Sequence, residues 1–249
     1  MSLKFTAGQG GRCQTATSPT GRGTSDYTIS CWIKLTARTD QSVFMQVQDG
    51  SHGFQGITQL VVSSNSYGSY ESLTNHQFST IVSLNTWHHL VVRRSSGTGS
   101  GWLDGVQDLA NFATSVNWGA FQLTVGGNLN GSANFTGMIT DTAVWTTALS
   151  DSTIAEIYNN TYLASSYAPD YVYWKLDQTT GTPATSDSGL ADQVDSNHLT
   201  IVSSSGMSWQ NDSPGLIAAP KSSNWRVHKN SVIFDNGLAL KRNQTGVTG

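Results

Sequence analysis

Short runs in which apolar and polar residues strictly alternate, each closed by a turn-forming cluster, recur along most of this chain and restrict it to antiparallel β structure. In Thr28-Ile29-Ser30-Cys31-Trp32-Ile33-Lys34-Leu35 the residues Ile29, Cys31, Ile33 and Leu35 share one face, and Thr28, Ser30, Trp32 and Lys34 share the other. Successive side chains of a strand point to opposite sides of its sheet, so this run predicts a half-buried or two-sided sandwich strand. Residues 43–47 and 57–63 repeat the idea around the turn Asp49-Gly50-Ser51-His52-Gly53, and further strands are predicted in 85–92, 121–125 and 137–145. Between Trp102-Leu103 and Val106, the pair Asp104-Gly105 supplies the positive-φ residues of a tight hairpin turn. One short helix is predicted after Leu149. Ser150 can cap its free N–H groups, Asp151 suits the positive end of its dipole, and Ile154, Ile157 and Tyr158 share a face before Asn159-Asn160 ends it.

Composition agrees. Of 16 acidic residues only Glu71 and Glu156 are glutamates, and aspartate favours turns where glutamate favours helix. At 249 residues, 37% hydrophobic and only 12% charged, the chain fits one large all-β domain with a neutral polar surface. The opening MSLKFTAGQGGRC has no apolar signal-peptide core and no window is long enough to span a bilayer, so a soluble protein without membrane contact is expected. Cys13 and Cys31 are too few for a disulfide framework and are expected as free thiols, Cys31 packing as a small hydrophobe.

The C-terminal segment differs. Residues 216–249 hold Lys221, Arg226, Lys229, Lys241 and Arg242 against Asp235 alone, a charge of +4 in a chain of net −3, which leaves −7 on the rest. Val232-Ile233-Phe234 and Leu238-Ala239-Leu240 flank Asp235-Asn236-Gly237, a hairpin signal, with Pro214 and Pro220 marking the boundary. An isolated hairpin is marginal in water, so these apolar residues need a surface to cover them. The predicted organisation is a sandwich over residues 1–213 and a basic arm over 214–249.

In order, YTISCWIK, NTWHHLVV, GWLDGVQ, LTVGG, FTGMITDTAVW and ALSDSTIAEIYNN resemble the concanavalin A-like lectin/glucanase superfamily, particularly its laminin G-like and pentraxin-like branch. The resemblance covers roughly residues 27–160 and implies a jelly roll of two antiparallel sheets. Tyr171-Val172-Tyr173-Trp174-Lys175-Leu176-Asp177, Asp187-Ser188-Gly189 and Asn197-His198-Leu199-Thr200 look like the family's opening strand and following loop, here displaced towards the chain's end. The segment that normally follows them resembles Ser2-Leu3-Lys4-Phe5. Circular permutation explains that order, since domain termini commonly lie close together and too few residues remain after Tyr171 for a second sandwich.

Candidate sites are few. A glycosidase needs two carboxylates about 5–5.5 Å apart to retain configuration or about 6.5–9.5 Å to invert it. With two glutamates and no acidic cluster on an alternating strand, no catalytic residues are assigned and a non-enzyme is expected. Many relatives bind calcium at a loop edge, and Asp187, Asp192, Asp195 and Asn197 form the densest set of oxygen ligands, with Asx-turns as the plainer role. No other cofactor is implied. His88-His89 cannot share a metal through a common face, because strand neighbours point oppositely. Loop aromatics His52, Phe54, Tyr67 and Tyr70 are candidates for stacking on a sugar ring, with loop packing as the plainer role. The acidic chain and scattered tail cations form no continuous groove for nucleic acid.

Sandwich domains of this superfamily occur in bacteriophage virion proteins. That resemblance implies a non-enzymatic virion protein made in a host cytoplasm, most simply a capsid decoration or cement protein partnered by capsid protein or other virion subunits and by copies of itself. Trp225, Ile233, Phe234 and Leu240 would supply its apolar assembly contacts, with Arg226 and Lys229 at the rim. The alternative is a carbohydrate-binding, lectin-like module that uses the loop aromatics.

Overall fold

A computed structural model of the chain describes residues 1–38, 76–115, 117–120, 122–127, 134–159, 167, 169–178 and 181–214 in full. At 42–47, 58–62, 67–71, 74–75, 226–228, 231–233 and 239–241 it describes the backbone alone. In chain order the first unit contains β1 (Ser2–Phe5), β2 (Arg12–Thr15), β3 (Tyr27–Leu35), β4 (Ser42–Val47), β5 (Thr58–Val62), β6 (Tyr67–Glu71) and β7 (Thr74–Gln77). It continues with β8 (Trp87–Ser95), β9 (Thr98–Leu103), β10 (Val106–Ala113), β11 (Leu123–Val125), β12 (Gly137–Trp145), helix α1 (Asp151–Asn159), β13 (Val172–Trp174), β14 (Leu199–Ser203) and β15 (Met207–Gln210).

Two antiparallel sheets result. One runs β10-β9-β8-β3-β12-β1-β15, with β13 also paired to β12; the other runs β14-β2-β11-β4-β5-β6-β7. The core between them collects Ile29, Cys31, Ile33 and Leu35 of β3 with Leu90, Val92, Leu123, Val125, Ile139, Val144 and Trp174. Both cysteines are unpaired and buried, and burial pushes the Cys13 thiol up to about 12 and that of Cys31 well above its ordinary value. These thiols therefore stay protonated and pack as apolar groups.

The other face of β3 is buried too, because α1 lies over it. Ile154 packs with Val91 and Trp102, Ile157 packs with Ala143 and Trp145, and Tyr158 stacks on Trp32 at 5.7 Å between ring centroids. The helix starts where the sequence places it: the Thr153 N–H donates to the Ser150 hydroxyl at 3.1 Å, satisfying one of the free groups of the first turn.

Strand β12 holds the arrangement together. Along one edge it pairs with β3 from Gly137 to Trp145. Along the other, Gly137 to Ile139 pair with β1 and Thr142 to Val144 pair with β13. The two partners meet at Asp141, which has φ of +46° beside the irregular register between Thr140 and Ala143. There the carbonyl of Lys175 accepts from the Asp141 N–H at 3.0 Å and the Thr140 hydroxyl at 2.8 Å. β15 continues the sheet beyond β1, and β14 pairs with β2 in the second sheet. The segment after the helix thus supplies strands to both sheets.

Some local expectations are corrected. Tyr67 and Tyr70 lie in strand β6 rather than a loop, because β5, β6 and β7 form an antiparallel meander. The first compact unit is Met1–Ile217, and the second is Ala218–Gly249. The second carries a three-stranded sheet instead of a lone hairpin: β17 (Ser231–Ile233) pairs with β18 (Ala239–Lys241) as the Asp-Asn-Gly signal suggests. A third strand, β16 (Arg226–His228), forms on the far side of β17. No helix among the described residues is long and apolar enough to cross a membrane.

Trp174 is fully buried in the core, and its indole N–H donates to the Asn197 carbonyl at 2.9 Å. Trp174→Ala is predicted to lower unfolding free energy by about 3–5 kcal/mol in a urea titration, the usual cost of emptying a large aromatic site.

Candidate functional site

One polar cluster among the described residues joins β8 to the turn between β9 and β10. Adjacent residues His88 and His89 point to opposite sides of β8, as the strand period requires. Inside, His89 is fully buried with its Nε2 2.7 Å from the Ser30 hydroxyl. Its Nδ1 has no hydrogen-bond partner among the described residues. The ring lies against Trp32, and both stack near Tyr158. Burial lowers its pKa to about 4, with the Asp104 carboxylate opposing, so this imidazole is neutral and structural at ordinary pH.

His88 is half-buried at the edge. Its Nδ1 lies 2.8 Å from Asp104 Oδ2, and its Nε2 lies 2.8 Å from the hydroxyl of exposed Ser83. An ionised carboxylate only accepts, so Nδ1 carries the proton, and in the neutral imidazole Nε2 is then the acceptor for the Ser83 hydroxyl. Asp104 is itself fixed: its Oδ1 accepts the His89 N–H at 2.8 Å, and its own N–H donates to the His89 carbonyl at 2.9 Å. It has φ of +51°, followed by Gly105 at +78°. A Cβ on Gly105 would come within 3.0 Å of Tyr158, so the turn needs glycine there on both counts. The Asp-Gly pair was legible as a turn in the sequence, but nothing in its spacing announced that the aspartate would orient a histidine.

At the junction of β1, β12 and β13, Asp141 is 3% exposed. Its Oδ1 accepts from the Tyr173 hydroxyl at 3.0 Å, and its Oδ2 has no partner among the described residues. Burial pushes its pKa up to about 7; the Tyr173 bond opposes this, Asp177 adds to it, and the chain's amino terminus and Lys175 oppose it.

Two of the four expected calcium ligands, Asp187 and Asp192, accept hydrogen bonds through their carboxylates. Asp187 accepts from the Ala184 N–H at 2.8 Å and the Trp209 indole at 2.6 Å. Asp192 accepts from the Tyr173 N–H at 2.8 Å and the Val194 N–H at 3.1 Å. Asn197 turns its carbonyl to Trp174, and Asp195 is exposed. Among the described residues no three His, Cys, Asp or Glu side chains are grouped to hold a metal ion. Glu156 accepts from the Tyr167 hydroxyl at 3.1 Å on the surface of α1. His52, Phe54, Trp225, Lys229 and Phe234 lie outside the described residues. Tyr67, Tyr70, Arg226, Ile233 and Leu240 are placed by backbone only, in β6, β16, β17 and β18.

Asp141 sets a pH dependence. A carboxylic acid whose folded pKa lies above its unfolded value binds its proton more tightly when folded. Its contribution is present below about pH 4 and is lost as pH rises through about 7. Asp141→Asn keeps an acceptor for Tyr173 and tolerates positive φ. Denaturant titrations should find the variant close to wild type at pH 4 and roughly 2–4 kcal/mol more stable at pH 8.

Comparison with known proteins places the fold. No curated protein matches the sequence. Among solved structures, a candidate carbohydrate binding protein from Bacteroides ovatus superposes with a TM-score of 0.64 at 14% identity over 86% of this chain. The chain spans 61% of that protein's length. The heptameric SAP-like pentraxin of Limulus polyphemus superposes with a TM-score of 0.57 at 14% identity, over 80% of this chain and 93% of the pentraxin. A sequence-family model described as the concanavalin A-like lectin/glucanases superfamily matches residues 7–155. The chain belongs to the concanavalin A-like lectin/glucanase superfamily.

Proposed function

We propose that this chain is a recognition and assembly protein of a larger particle, a virion surface component whose sandwich faces outward and whose C-terminal unit anchors it. One observation carries the reading. The sandwich is complete within Met1–Ile217, and Ala218–Gly249 forms a compact unit of its own. That unit holds strands of three residues each and a charge of +4. So small a sheet cannot bury a core by itself and gains stability by packing on a partner. An acidic capsid protein surface suits the charge, with electrostatics orienting the approach and Trp225, Ile233, Phe234 and Leu240 providing the apolar contacts. The likeness to a heptameric pentraxin favours a homo-oligomer.

A second reading, carbohydrate recognition by the sandwich, is favoured by the shared fold with the candidate carbohydrate binding protein. Both readings are of binding, and they do not exclude one another.

The two are separable in solution. Light scattering should find the full chain as a defined oligomer, or bound to capsid particles, and a chain ending at Pro214 as a folded monomer that leaves particles unbound. Equal behaviour of the two chains, with binding on a glycan array in the presence or absence of added calcium, would instead establish the lectin reading.

A further inference from the structure

Ser83, His88 and Asp104 form a linked array whose role goes beyond assembly or sugar binding and does not rest on either. We propose that it is a serine esterase site, with Ser83 as nucleophile, His88 as general base and Asp104 as the residue that positions His88. Each link has the polarity the chemistry needs. Ser83 Oγ meets His88 Nε2 at 2.8 Å, and His88 Nδ1 meets Asp104 Oδ2 at 2.8 Å. Such a set is recognised by roles and geometry, independent of chain order or fold.

The neighbouring Ser30–His89 pair shows what a purely structural pairing looks like here. It lies at 2.7 Å, yet both residues are buried and no carboxylate reaches Nδ1. Ser83, in contrast, is exposed, and its histidine carries the carboxylate that fixes the tautomer. The loop that presents it is tethered: the Thr80 N–H and hydroxyl donate to the Asp108 carboxylate of β10 at 2.9 and 2.8 Å. Arg38 donates to the carbonyl of Val82 at 2.6 Å, bringing positive charge to the residue before the nucleophile.

Substrate class follows from the surroundings. The large apolar side chains left exposed among the described residues are Ile81, Leu84, Val106, Val194 and Val202. Leu84 adjoins Ser83, Ile81 is two residues before it, and Val106 is two residues after Asp104. These three exposed side chains, Ile81 at 58%, Leu84 at 40% and Val106 at 69%, flank the array along the chain and suit an ester with a short apolar acyl group.

In the reaction, Ser83 Oγ attacks the ester carbonyl carbon while its proton passes to His88 Nε2. The carbon–oxygen bond to the alcohol then breaks, and Nε2 returns the proton to the departing oxygen, leaving acyl-Ser83. Water attacks that acyl carbon and gives a proton to Nε2. The bond to Ser83 Oγ breaks and Oγ takes the proton back, releasing the carboxylic acid.

The test is labelling of the folded full-length chain with a fluorophosphonate, peptide mapping by mass spectrometry, and hydrolysis of p-nitrophenyl butyrate. The phosphonate should attach at Ser83, and heat-unfolded protein or His88→Gln should lose the label. Ser83→Ala, an exposed change that leaves the circular dichroism unchanged, should lower hydrolysis at least about 100-fold, the low end of what a general base contributes. Asp104→Asn should lower kcat by a similar factor with KM unchanged. Hydrolysis by Ser83→Ala equal to wild type, or no phosphonate on Ser83 of the folded protein, overturns the proposal.

Discussion

Hydrogen bonding along both edges of Gly137–Trp145 is the interaction on which the rest of this sandwich depends. One edge is taken continuously by Tyr27–Leu35, while the other is shared between the chain's first strand and the segment that follows the helix. Neither partner alone covers that edge. A strand in the middle of a sheet leaves no backbone donor or acceptor unpaired only when both neighbours are present, and buried unpaired groups are costly. The chain's first strand and the segment after the helix are therefore joined in one sheet by a local requirement of nine residues, and the order of segments along the chain matters less than their meeting there.

That meeting point carries strain and charge together. Asp141 adopts a left-handed backbone where its two partner strands meet and leaves one carboxylate oxygen without a described partner. His89 is held neutral beside Trp32 and Tyr158. The two groups titrate in opposing senses: Asp141 favours the folded state at low pH, and neutral His89 favours it above about 6.5, losing that contribution as pH falls towards 4. A plateau of stability between these limits follows from the fold itself.

Much of this was legible in sequence because it rests on short-range rules. Alternation marked β3, the Asp104-Gly105 pair marked the β9–β10 turn, and Ser150 marked the start of α1. The sequence also displays Tyr171–Asp177 as a displaced family segment, although only the structure gives its register against β12. Other features depend on long-range juxtaposition. Nothing within Thr28–Leu35 says that a helix more than a hundred residues later covers its polar face and buries Thr28, Ser30 and Trp32. Ser83, His88 and Asp104 come from a loop, a strand and a turn, and the array exists only because the β9–β10 hairpin folds back on β8. Asp187 and Asp192, conspicuous as a cluster of oxygens, became turn and indole acceptors because nearby backbone N–H groups and Trp209 needed them.

Native-state hydrogen exchange addresses the dependence on β12 most directly. If the edge must be shared, amides of Leu3–Phe5 and Val172–Trp174 should exchange with the same opening free energy as those at the centre of β3 and β12, all through global unfolding. Exchange of Val172–Trp174 at a free energy several kcal/mol lower, while β3 and β12 stay protected, would contradict the account by showing a sandwich that stands without its displaced segment.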